Sequence, residues 1–155
     1  MNVKSSVLIS LFSAITAFSA SSSIASDASL EATKALAIKA FVDICVRTAP
    51  SFADAAIAAK SYGIDEIRDL GFMAMGATSD QKVAVQIKKN MECAITTESQ
   101  TDATLTRQFI QSVAEVTKSE PRAKVPFRAS VQSETFIFQH DREGGEAFVM
   151  LKQRN

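Results

Sequence analysis

The pair Cys45 and Cys93 constrains the fold of this 155-residue chain most, because the role of two cysteines depends on the compartment in which the chain folds. The first 25 residues indicate that compartment. Met1-Asn2-Val3-Lys4 carries one positive charge, Val7 to Phe18 runs without any charge, and Ser21-Ser22-Ser23-Ile24-Ala25 leads to the first acidic residue, Asp27. A positive start, an apolar middle and small residues before the cut make up a secretion signal. Ser23 and Ala25 fit the two small positions before a cut after Ala25. An uncleaved anchor would need about 20 apolar residues, and this run is shorter and diluted by Ser and Thr. Residues 26–155 are therefore expected to form one periplasmic or secreted domain with no transmembrane anchor after cleavage. In that setting the cysteines pair as a Cys45–Cys93 disulfide, the alternative being two separate buried thiols. A bridge closing a loop of this length stabilises by about 4 kcal/mol in the chain-entropy model. The chain has no C-x-x-C, so a redox role lacks its motif.

Periodicity along the mature part predicts alternating helices and hairpins. Ala37, Ile38, Phe41, Val42 and Cys45 recur at helical spacing within Leu30 to Arg47, with Asp27 or Ser29 as the cap. Pro50 suits the first turn of a second helix running to Tyr62, with Gly63 as a left-handed C-cap and Ile64 as its apolar contact. Asp65 to Leu70 is expected to add a short helical turn. Val83, Val85 and Ile87 alternate with Ala84, Gln86 and Lys88, and Met91, Cys93, Ile95 and Thr97 alternate likewise after the Lys88-Lys89-Asn90 turn, which predicts a hairpin with Cys93 inward. Thr101 or Asp102 caps a helix whose stripe is Leu105, Phe109, Ser112/Val113 and Val116. A second hairpin is expected from about Ser130 to His140 and from Glu146 to Lys152, with both arms rich in β-prone residues. The nearly continuous apolar runs imply strands covered on both faces or an exposed face used for pairing. The predicted fold class is α+β: a small antiparallel sheet of two hairpins with about three helices packed on one face and one disulfide.

Few residues suggest chemistry. His140 adjoins Asp141, Arg142 and Glu143, but neighbouring strand residues point to opposite faces, so the expectation is a solvated turn rather than an oriented base. One histidine and two bridged cysteines cannot make the common zinc sites. Asp65, Glu66 and Asp69 lack the calcium-loop pattern and serve equally as helix-capping charges. No G-x-S-x-G, G-x-G-x-x-G or Walker loop occurs. Phe72-Met73-Ala74-Met75 could line an adaptable groove, although filling a core gap beneath a loop is the commoner use. Lys118, Arg122, Lys124 and Arg128 form a modest basic strip, suited to an acidic partner or to lipid head groups, although a solvated loop is the commoner case. Lys plus Arg and Asp plus Glu number 17 each, a balance that does not suit nucleic acid.

Phe41-x-x-x-Cys45-x-x-x-Ala49-Pro50-Ser51-Phe52, Gly63 and Met91-Glu92-Cys93-Ala94-Ile95 resemble small exported alphaproteobacterial proteins of unknown function, over roughly the first two-thirds of the mature part. The resemblance implies a periplasmic protein with paired cysteines at Cys45 and Cys93, and it implies no activity, catalytic residue, cofactor or metal. The expected function is a non-enzymatic binding or interaction module that meets a protein partner or a second copy through the C-terminal hairpin. The alternatives are a small carboxylate-dependent hydrolase without a recognisable motif and an inhibitor or accessory factor of a larger envelope protein.

Overall fold

The computed structural model describes residues 35–154; the predicted signal, its cut after Ala25 and the start of the first predicted helix lie outside them. Helix α1 (Leu36–Phe41) widens into a π-helical turn, Val42–Val46, that buries Val42, Ile44, Cys45 and Val46. A short helix α2 (Ala55–Lys60) follows. Next come β1 (Ile67–Asp69), β2 (Ala74–Ala77), β3 (Val83–Lys88) and β4 (Glu92–Thr97), then helix α3 (Leu105–Thr117), and finally β5 (Phe127–Val131), β6 (Glu134–Asp141) and β7 (Glu146–Lys152). All strands pair antiparallel in the order β1-β2-β3-β4-β7-β6-β5. Two meanders thus join at the β4–β7 ladder, and α3 is the connection between them.

The α+β class, three helices beside an antiparallel sheet and the Cys45–Cys93 disulfide stand as expected among the described residues, but the sheet is larger than two hairpins. Three strands went unpredicted, each for a physical reason. β1 replaces the expected helical turn; three residues are too few to show a period of two, and its backbone is held by close approach to β2. A Cβ on Gly76 would lie 2.6 Å from the Glu66 carbonyl oxygen, so only glycine fits there. β2 takes Ala74–Ala77 out of the expected loop. The long strand expected from Ser130 divides into β5 and β6 at Gln132-Ser133, both left-handed (φ 48° and 72°). That turn lacks the Asn-Gly chemistry that usually marks a two-residue hairpin. The second helix begins at Ala55 rather than Pro50, because Phe52 is left-handed (φ 58°) as it inserts into the core. Its C-terminus follows the expectation. Gly63 is left-handed, the Ile64 N–H donates to the Ala59 carbonyl and the Gly63 N–H to the Lys60 carbonyl, and Ile64 is fully buried.

The inner face of the sheet holds the core. Phe41 from α1 and Phe109 from α3 meet edge-on at 5.2 Å, Phe109 contacts Phe148 at 5.3 Å, and Phe127 stacks on Phe138. Cys45 descends from the π turn and Cys93 rises from β4 to form the disulfide, with Cα atoms 5.4 Å apart and both residues fully buried. The bridge joins the helical layer to the central strand pair, since Cys93 lies opposite Met150 of β7. Among the described residues no helix is long and apolar enough to cross a membrane.

Candidate functional site

The alternation of β6 turns Phe136, Phe138 and His140 inward, and that of β7 does the same for Glu146, Phe148 and Met150. His140 is buried rather than solvated. Its ring stacks on Phe148, its direct cross-strand partner, with centroids 4.3 Å apart. Its Nε2 lies 2.7 Å from Glu146 Oε2, and its Nδ1 lies 3.0 Å from Thr106 Oγ1 on the first turn of α3. Asp141 faces away and is exposed, as strand geometry requires; the carboxylate that meets the histidine comes from across the hairpin.

Glu146 accepts at every side. Its Oε1 receives the Gln100 N–H at 3.1 Å and the Arg142 Nε and Nη2 groups at 3.2 and 2.9 Å. Arg142 donates further to the carbonyls of Asp102 (3.1 Å) and Gln100 (2.6 Å). Burial alone would raise the Glu146 pKa, but the hydrogen bonds from Gln100, His140 and Arg142 together with the Arg142 charge hold it below the ordinary carboxylate value. Burial drives the His140 pKa down, and this outweighs the opposing pull of Glu146. The stable pairing is therefore an ionised Glu146 and a neutral His140, in which Nε2–H donates to Glu146 and Nδ1 accepts from the Thr106 hydroxyl. The hydroxyl–imidazole–carboxylate row fastens the β6–β7 hairpin to the segment leading into α3.

The other residues singled out in the sequence fall elsewhere. Asp65, Glu66 and Asp69 are exposed, and Asp69 accepts the Gly71 N–H in a turn. No group of three or more metal-ligating side chains gathers among the described residues. Phe72 and Met75 fill no core gap: they are 75% and 43% exposed, on a hairpin that also exposes Leu70. The basic strip lies before and within β5. Arg122 and Arg128 line a groove of about 460 Å³ with Pro126, Phe127 and Ile137.

The outer face of the sheet carries no described helix. Its rows run straight across the strands: Gln86, Ala94, Val149 and Gln139 form one, Lys88, Glu92, Leu151, Ile137 and Arg128 another. Ile137, Val149 and Leu151 are neighbours at its centre, all partly exposed. They account for the continuous apolar runs of the last two strands, whose inward partners are Phe136, Phe138, Phe148 and Met150. Comparison with protein-family models, with curated proteins and with solved structures returns no match for this chain.

Proposed function

We propose that the chain is an exported, periplasmic or secreted, non-enzymatic binding module whose docking surface is the outer face of the C-terminal half of the sheet. The observation that supports this reading is the apolar patch of Ile137, Val149 and Leu151 on a face that no described helix covers. A contiguous, partly exposed apolar patch rimmed by polar groups (here Arg128, Gln139 and Glu92) is the usual mark of a protein contact. The buried disulfide and the N-terminal sequence support export, and the paired cysteines agree with the resemblance to small alphaproteobacterial exported proteins.

In-cell crosslinking from the native periplasm tests the reading, with the full chain as bait. A partner captured by the wild type should be lost when Val149 and Leu151 are both changed to Lys, and retained when the distant Phe72 is changed to Ser. Capture unaffected by the Val149/Leu151 variant would contradict it. Light scattering after size exclusion tests the second-copy version, which a strict monomer at high concentration excludes.

The hydrolase alternative finds one observation in its favour: the hydroxyl of the partly buried Thr106 meets a neutral imidazole backed by a carboxylate. Its carboxylate version called for raised pKa values, whereas Asp80, Asp102 and Glu146 are all shifted down. A fluorophosphonate probe that labels the wild type but not Thr106→Ala would favour the enzyme; absence of labelling favours the binding module.

A further inference from the structure

The seven-stranded order ends at β5, whose outer side pairs with no described strand. An edge strand of this kind presents a row of backbone N–H and C=O groups to any extended chain laid beside it. Phe127 and Ala129 turn into the core while Arg128 and Ser130 turn out, so a strand added here keeps the core intact and meets the outward residues. The surroundings are strongly one-signed. From Lys118 to Arg128 the chain carries four cations, Lys118, Arg122, Lys124 and Arg128, against the one carboxylate of Glu120. All four cations are exposed. None of them takes part in an ion pair among the described residues, whereas Lys88, Arg142 and Lys152 all do. Beside the edge, Arg122 and Arg128 line an open groove of about 460 Å³ together with Pro126, Phe127 and Ile137, and Pro126 and the partly exposed Ile137 give it an apolar side that one side chain can meet.

Building on the binding-module reading, we infer that β5 takes up an extended acidic segment of a partner protein as an eighth strand, with its carboxylates on Arg122, Lys124 and Arg128 and one apolar side chain in the groove. Charge selects this occupant over a second copy of the chain. Pairing β5 with β5 across a twofold axis would set two basic strips against each other, and like charges facing across a strand pair are destabilising.

The test uses the full chain and two synthetic nonapeptides, one alternating Glu with Val and one alternating Lys with Val. Titration calorimetry at low salt should show binding of the Glu peptide and at least tenfold weaker binding of the Lys peptide. Arg122→Glu with Arg128→Glu, both at exposed positions and with the fold checked by circular dichroism, should reverse that preference. Backbone N-methylation at alternate positions should abolish binding in one phase and spare it in the other, because only one edge of an added strand pairs. Equal affinity for both peptides, or tolerance of methylation in both phases, overturns the strand inference. Loss of native-partner capture in the Val149/Leu151 variant, with capture unchanged by the Arg122/Arg128 reversal, also overturns it while leaving the binding-module reading standing.

Discussion

At the scale of single residues, the buried pair His140–Glu146, flanked by Thr106 and Arg142, is the least apolar part of the interior, and its energetics can be tested directly. Glu146→Ala removes acceptors from His140, Arg142 and the Gln100 N–H together. Urea unfolding should show a loss of about 2–4 kcal/mol, since buried donors left without partners are costly. The pH dependence has a definite sign. His140 is the sole histidine, and its folded-state pKa lies below the unfolded value. The unfolded chain therefore binds the extra proton first, and the contribution of His140, complete above the unfolded value of about 6.5, is lost progressively as the pH falls from there through the lower folded-state value. The Glu146 carboxyl, also lowered, adds a further loss as acid titrates it in the unfolded chain near pH 4 to 5. The urea midpoint should fall between pH 7 and 5.5, and His140→Gln should flatten that slope; an unchanged slope assigns it to other groups. Ser112 presents the opposite case, a buried hydroxyl without a hydrogen-bond partner among the described residues. Ser112→Ala should be neutral or should stabilise by up to about 1 kcal/mol in the same assay. The positions of His140 and Glu146 were open to parity counting, because they share phase with Phe136, Phe138, Phe148 and Met150. The continuous apolar runs obscured that phase, since Ile137, Val149 and Leu151 fill the alternate positions with equally apolar side chains.

At the scale of elements, legibility followed length and turn chemistry. α3, β3 and β4 are long enough for their period to show: Leu105, Phe109 and Val113, then Val83, Val85 and Ile87, then Cys93 and Ile95 are buried as expected, although Met91 is exposed. β1 is fixed by what lies across from it instead, and the sequence around Gly76 does not reveal that a neighbouring carbonyl needs the space of its missing Cβ. Gly76→Ala should therefore destabilise by at least about 1 kcal/mol, and hydrogen exchange should show the loss concentrated in β1 and β2. The β5–β6 turn makes the converse prediction. Gln132 and Ser133 occupy left-handed conformations that side chains adopt at a cost. Replacing them with Asn and Gly should raise the urea stability by about 1 kcal/mol. A decrease would mean that β5 and β6 are not joined by a tight two-residue turn. The basic strip was visible in the sequence, but its place was not. It becomes an edge feature because β5, a strand the sequence did not announce, ends the sheet.

At the scale of the whole molecule, two meanders and a helical layer depend on one another through the β4–β7 ladder and the bridge above it. The pairing of Cys45 with Cys93 was legible because both lie on apolar faces, one of a helix and the other of a strand. The strand order was not, because nothing local in β4 or β7 marks them as central neighbours. The bridge spans 48 residues and links the π turn to the centre of the sheet, so its loss should loosen the helical layer as a unit. Comparing urea unfolding of the oxidised chain with that of the Cys45→Ala/Cys93→Ala double variant measures this. The unfolding free energy should fall by about 4 kcal/mol, as the loop length implies, with circular dichroism still showing a folded sheet at low urea. Unfolding free energies equal within error would contradict it, showing that the helices hold to the sheet without the covalent tie.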